Sequence, residues 1–291
     1  MICNIVRNDC LDFIETYNDR GFDLTFLDPP FNQSKDYRSH NDNMSPEEYW
    51  RWMSTVCALV YNKSSEGAAI YFMQREKNTH HVINALETSG WTYQNLIIWK
   101  KKTSAVPSNN RFGKHYQIIV FATKGKTPRV FNKLRIDPPL LETEKYQRPN
   151  GMYVTDVWDD IRELTSGYFA GEEPLRDNNG ERIHKQQSPV HLLTRIILSS
   201  TNPEDLVFDP FAGTGTTLVV AKQLLRNSIG VEIDPLNYQY IEERIATIRD
   251  SDDISKLVYY YRFTEYLHNI WPNLIEEKLK YVQYPVQSQL F

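Results

Sequence analysis

Residues 206–238 read LVFDPFAGTGTTLVVAKQLLRNSIGVEIDPLNY: an apolar strand, a glycine turn, a helix, and a second apolar strand that ends in an acid. A strand that feeds a helix and then a further buried strand commits the chain to a mostly parallel sheet with helices on both faces. The alternation recurs near the N-terminus, where 3–6 and 22–27 read as strands around a helix at 9–17. Ser45 as N-cap, Pro46 at the first helical position and Glu48 closing a capping box start a helix over 45–60. Further strands are expected at 68–73, 91–99 and 117–122, and further helices at 77–88, 188–200 and 234–249. Residues 126–180, rich in proline and turn formers, carry no clear period.

The glycine turn limits the ligand. Gly213 and Gly215 let backbone N–H groups approach closely, and the helix start behind them favours a negative group. Glu232, at the end of the next strand, is placed to accept both hydroxyls of a ribose. No Gly-Lys-Ser/Thr follows the glycines, which excludes a P-loop. Leu218 stands where a dinucleotide fingerprint needs glycine or alanine. S-adenosylmethionine fits better: Asp209 can meet its ammonium and the turn amides its carboxylate. A tight turn without ligand is the other reading.

Asp28-Pro29-Pro30-Phe31 stops the second strand, since neither proline can donate to a ladder. The Asp28 carboxylate and the Pro29 carbonyl can accept two hydrogen bonds from a planar NH₂ group, with Phe31 stacking on the ring that bears it. Taken alone, the tetrapeptide reads sooner as a strand-ending turn than as a base site.

The two motifs together, in this order, resemble the amino-methyltransferases of DNA, specifically the beta-class N6-adenine enzymes. That family places D-P-P-[YF] before its target-recognition region and F-x-G-x-G after it. Here Asp28 to Phe31 comes first and Phe211-Ala-Gly-Thr-Gly215 follows. LDPPFNQSKDY (27–37), Val157-Trp158-Asp159, HKQQSPVHLL (184–193), GVEIDPLNY (230–238) and Asn8-Asp9-Cys10 are similar to further family elements. Ser188 stands where many members have lysine, Asn8 replaces glycine, and Phe31 replaces the commoner tyrosine.

The resemblance implies a permuted Rossmann-like methyltransferase fold with a seven-stranded sheet. Residues 1–123 would form its catalytic half, 124–183 a small target-recognition insert and 184–250 the cofactor half. Residues 251–291, with Tyr259-Tyr260-Tyr261 and Trp271-Pro272, are an extension without a readable motif. It implies catalytic roles for Asp28, Pro29, Pro30 and Phe31. Cofactor contacts would come from Asp9, Cys10, Asp28, Gln186, Gln187 and Ser188 in one group. Asp209, Phe211, Ala212, Gly213, Thr214, Gly215, Thr216, Glu232 and Ile233 form the other. The activity implied is site-specific methylation of a flipped-out adenine in a restriction–modification setting. Cytosine-N4 methylation and a non-catalytic DNA-binding protein of the same fold are the alternatives, and Asp28 favours adenine, because N4 enzymes more often carry serine there.

Charge agrees with a polyanion partner. The chain holds 33 Lys and Arg against 37 Asp and Glu, yet 88–136 contains ten cations and no acid. Duplex DNA contacts are expected at Lys35, Lys100, Lys101, Lys102, Arg111, Lys114, Lys124, Lys126 and Arg129, with base readout over 124–153. A homodimer and a cognate restriction endonuclease are further partners that the resemblance allows. No metal-ligand cluster is visible, and His80-His81 reads as structural. Three cysteines without a C-x-x-C pair, no leader pattern and no ~18-residue apolar run fit a cytoplasmic protein without a membrane span.

Overall fold

Alternation along one central strand sets up the two cores. In Ser64–Arg75 the pleat sends Ile70 and Phe72 into one apolar cluster and Ala69, Tyr71 and Met73 into another on the opposite face. The computed structural model describes residues 1–33, 36–37, 40–41, 43–103, 106–136, 149–164, 171–176, 179–183, 187–272 and 274. Its central sheet contains β1 (Cys3–Arg7), β2 (Phe22–Leu27), β3 (Ser64–Arg75), β4 (Trp91–Lys100), β5 (Tyr116–Lys124), β6 (Val157–Trp158), β7 (Leu206–Asp209) and β8 (Asn227–Glu232). The spatial order is β1-β8-β7-β2-β3-β5-β4-β6. β5 runs antiparallel to both of its neighbours, and every other pairing is parallel.

Seven of these strands were expected from the sequence. The eighth, β6, is a two-residue strand beside β4, with Trp158 level with Trp99. The Val157-Trp158-Asp159 element thus belongs to the sheet edge. Helices α1 (Cys10–Thr16), α2 (Pro46–Lys63) and α3 (Thr79–Thr88) bury Ile14, Val56 and Val82 on one face. On the other face α4 (Val190–Ser200) and α5 (Thr216–Gln223) bury Ile196 and Val220. α6 (Pro235–Ala246) packs Ile241 near β1. The expected capping box of α2 is present: the Glu48 amide donates to Ser45 Oγ (3.2 Å) and the Ser45 amide to Glu48 Oε2 (3.1 Å). His81 stacks on Trp50 at 4.8 Å.

Two segments that the sequence left unreadable pack into the core. In the expected insert, Val130, Leu134, Ile136, Trp158 and Ile161 are buried. The Asn132 amide donates to the Ser199 carbonyl at 2.7 Å, and Arg195 of α4 forms a buried, bidentate pair with Asp160. Residues 130–136 and 157–161 are thus packed onto the sheet and α4. In the C-terminal segment, Ile254, Val258, Tyr261, Leu267 and Trp271 are buried in the same cluster as α4 and α5. Fully buried Arg226 fastens it by donating to the Ile270 carbonyl (2.5 Å) and to Thr201 Oγ1 (3.0 Å). Short 3₁₀ turns (Asp250–Asp252, Ile254–Leu257) and a single helical turn (Leu267–Ile270) make up much of this segment, and pieces this short leave no hydrophobic period to read. Among the described residues, no helix is long and apolar enough to cross a membrane.

A chain truncated after Arg249 is expected to lose its cooperative thermal transition. Leu267→Ala, which only opens a cavity, is expected to cost about 2–5 kcal/mol in urea titrations. Unchanged midpoints in both variants would contradict a core role for this segment.

Candidate active site

Because β1, β8, β7 and β2 are parallel neighbours, their carboxyl ends emerge along one edge. The register sets Arg7 level with Glu232, Asp209 with Gly230, and Phe208 with Thr25. Asp9, Glu232, the 209–215 turn and the Asp28 corner are thereby lined up side by side. Parts of the chain 160 residues apart also touch directly, as Ser188 Oγ donates to Asp28 Oδ2 at 3.0 Å.

The glycine turn is held from within. Gly213 and Gly215 have φ of 55° and 75°, the left-handed region that favours glycine. A Cβ on Gly215 would lie 2.7 Å from Ile241 Cγ2. Asp209 is only 3% exposed; it accepts the Phe211 amide (3.0 Å) and the Thr217 hydroxyl (2.5 Å). Burial pushes its carboxyl up to about 6. The sequence reading has Asp209 facing a ligand ammonium; in the structure its carboxylate is buried and its two bonds lock the turn. Several turn amides are likewise used by the fold. Ala212 donates to the Val231 carbonyl, Gly215 to the Ala212 carbonyl, and Gly213 to Glu232 Oε2 at 2.8 Å. Glu232 Oε1 also accepts the Asp234 amide at 2.9 Å. Burial pushes the Glu232 carboxyl up to about 7 even against these two bonds.

Behind the turn lies a device that sequence reasoning missed. Arg244 of α6 donates to the Thr214 carbonyl (2.7 Å) and to Thr216 Oγ1 (3.1 Å). Fully buried Asp252 holds Arg244 through two bonds and Arg249 through two more. Arg249 then reaches the Glu173 carbonyl at 2.9 Å. Glu173 accepts the Val190 amide (2.6 Å) at the head of α4, and Gln187 bridges its carbonyl and the Leu175 amide. Hydrogen bonds thus connect the back of the turn to the segment that carries Ser188.

At the proline corner, the Tyr49 hydroxyl donates to the Pro30 carbonyl at 2.8 Å, and buried Gln74 donates to Tyr49 Oη at 2.9 Å. Asn32, with φ of 51°, bonds both backbone groups of Met44 and so closes the following loop. Phe31 is 4% exposed and sits in the same apolar cluster as Trp99 and Trp158. The stacking ring expected from the sequence is thus packed inside the protein in this conformation. Tyr49 is also buried in the core, so its ring packs while its hydroxyl holds the corner.

The remaining predicted residues fall around this edge. Asp9 caps α1 by accepting the Leu11 amide at 2.8 Å, and the Cys10 thiol beneath it is buried. Phe211 meets Trp52 edge-on at 5.5 Å, while Ile233 is 44% exposed beside Glu232. Gln186 and Lys35 lie outside the described residues.

The structure divides the basic segment. Lys100, Lys101, Lys102, Arg111 and Lys114 flank the β4–β5 loop, which leaves the sheet at the Asp28 edge. Lys124, Lys126 and Arg129 lie at the opposite edge and are not brought to the site. Lys124 donates to the Ser64 carbonyl (2.9 Å) and lies over Tyr61. Arg129 pairs with Asp205 at 2.5 Å and Asp23 at 3.4 Å, and the Lys126 carbonyl accepts from Gln94. Charge alone could not separate the groups, because antiparallel β5 carries the chain from one edge to the other.

Asp252→Asn removes the charge that two guanidiniums share. It is expected to cost about 3–5 kcal/mol, read as a lower urea midpoint. An unchanged midpoint would mean that the buried triad holds nothing in place.

A family model for DNA methylases of the N6/N4 type matches residues 22–243. The type II methyltransferase M1.MboII of Moraxella bovis is 28% identical over 265 residues, covering 83% of this chain and 95% of its own. M.HinfI of Haemophilus influenzae, also a type II methyltransferase, is 28% identical over 271 residues, covering 87% and 71%. Among solved structures, the M1.HpyAVI–SAM complex aligns with a TM-score of 0.56 over 85% of this chain and 100% of that one, at 23% identity. The cytosine-N4-specific PvuII DNA methyltransferase aligns with a TM-score of 0.60 over 85% and 88%, at 18% identity. At those identities the structural likeness speaks for the fold. The family match runs from β2 into α6 and takes in both the proline corner and the glycine turn, so this chain belongs to the N6/N4 DNA methylase family.

Proposed function

We propose that this protein transfers a methyl group from S-adenosylmethionine to the N6 amino group of adenine at specific sites in duplex DNA, as the modification enzyme of a type II restriction–modification system. The observation that carries the reading is the meeting of Asp28 and the glycine turn on one sheet edge, set by the parallel register of β7 and β2. The type II relatives support the biological setting. Asp28 at the head of the tetrapeptide supports adenine over cytosine.

The edge suits this cofactor. The Glu232 carboxylate, at the end of β8 beside the glycine turn, can accept ribose hydroxyls. Ile233 and Phe211 offer apolar surface beside it, and Asp9 lies just past the end of β1, the strand next to the one that Glu232 ends. S-adenosylmethionine supplies an electrophilic methyl group on a sulfonium. The adenine amino nitrogen is a poor nucleophile because its lone pair is delocalised into the ring. Asp28 and the Pro29 carbonyl accept its two hydrogens and favour a tetrahedral nitrogen whose lone pair is free to attack. The Tyr49 clamp on Pro30 and the Ser188 bond to Asp28 keep those acceptors aimed. The proton becomes acidic only as the new N–C bond forms, and Asp28 is placed to receive it. To reach this corner the base leaves the helix, at a cost of a few kcal/mol.

Incubation with unmethylated DNA and labelled S-adenosylmethionine, followed by nucleoside analysis, is expected to yield N6-methyladenine. N4-methylcytosine instead would reassign the base, and no incorporation would refute the activity. Asp28→Ala is expected to bind cofactor normally while transfer falls at least about 10²-fold.

The raised Glu232 carboxyl gives a pH signature. Below about 7 it is mostly protonated in the free protein, whereas ribose hydroxyls need the ionised form. Affinity is therefore full above that pH and falls as pH drops through it, by at most about tenfold per unit. The shift also means that ionising Glu232 removes stability from the free protein as pH rises through about 7. Protection of the thermal transition by S-adenosylmethionine is thus expected to be larger at pH 8 than at pH 6. Titration calorimetry and melts of Glu232→Gln are expected to lose both trends. Trends that persist in the variant would assign them to another group.

A further inference from the structure

Phe112 has 95% of its surface in solvent and Val106 has 89%. Single exposed apolar residues are common and carry no argument alone. The surroundings of this pair do. Both lie on the loop between β4 and β5, which leaves the sheet at the Asp28 edge. The base of the loop is firmly tied. The Lys101 amide donates to the His115 carbonyl at 2.8 Å, and Glu163 accepts the amides of Lys102 (2.8 Å) and Thr103 (2.9 Å). Nearer the tip, the Ser108 amide donates to the Arg111 carbonyl at 3.1 Å. A cleft of about 550 Å³ lies against the loop, lined by Arg75, Lys77, Arg111 and Lys114 together with Val106 and Phe112. Lys114 bonds Glu76 at 2.6 Å; the other cations give the cleft a positive character suited to phosphates.

An apolar tip on a cationic loop beside a base-extruding corner has a physical use. Removing one base from a stack leaves a gap with two bare ring faces. An aromatic side chain fills such a gap without reading sequence, because every base has a π-face. We propose that the 106–114 loop is a wedge whose Phe112 enters the duplex beside the extruded base and stacks in the vacated space. Arg75, Lys77 and Arg111 hold the flanking phosphates. The proposal rests on the DNA-methylation reading and adds the element that stabilises the opened duplex. It commits the exposed tip to DNA; docking against a protein partner is the competing outcome.

The test compares wild type, Phe112→Ala and Phe112→Trp on two duplexes carrying the target sequence returned by mapping methylated DNA. One duplex is fully paired; in the other the target base faces a mismatch, which lowers the cost of extrusion. Phe112→Ala is expected to lower kcat/KM for the paired duplex by about 5- to 150-fold, the range that base–aromatic stacking supplies, and to act within about threefold of wild type on the mismatched one. Phe112→Trp is expected to stay close to wild type on both, and the affinity for S-adenosylmethionine to be the same in all three. Equal losses on the two duplexes, or no loss on the paired one, would overturn the wedge and point to a protein partner for the tip. Failure of the wild type to methylate any duplex would instead refute the methyltransferase reading, and the wedge with it.

Discussion

The insertion of β7 between β8 and β2 is the constraint on which the rest of the molecule depends. Those parallel pairings, together with β1 beside β8, bring four strand ends to one edge. Each strand end presents what the chain places just past it: an acid, a glycine turn or a proline corner. A different strand order would scatter the same residues around the sheet. Chemistry between an amino group and a sulfonium methyl needs alignment above all, and alignment here is a property of strand register.

Register alone leaves turns free to flex, and the protein spends buried polar contacts on stiffening them. Asp209 and Glu232 are held in the interior by backbone amides and a hydroxyl, at the expense of raised carboxyl pKa values. Asp252 draws two arginines together behind the turn, and Arg249 carries the connection to Glu173 and the head of α4. Buried charges of this kind contribute little net stability relative to apolar packing; their use is to define one geometry. Fastening Asp252 of the C-terminal segment into this network makes that segment part of the site's foundation.

The surface follows the same division. Cations at the Asp28 edge flank a loop with an apolar tip, while Lys124 and Arg129 at the far edge are engaged with Asp23, Asp205, Ser64 and Tyr61. A single acid-free stretch of sequence thus serves two ends of the molecule. Among the described residues, Arg111 and Lys114 at the end beside the proline corner line the cleft against the loop.

Much was legible in the linear chain because its signals are local. Strand–turn–helix alternation, the capping box at Ser45, the left-handed glycines and the order of the two motifs each depend on a few neighbouring residues, and local sterics and hydrogen bonding decide them. The burial of Asp209 and of Phe31, the Tyr49 and Ser188 clamps, the Asp252 triad and the split of the basic segment were decided only by tertiary structure. Each depends on which distant segment arrives beside the residue, and that is set by packing and strand order, for which no single stretch of sequence carries a period or a motif.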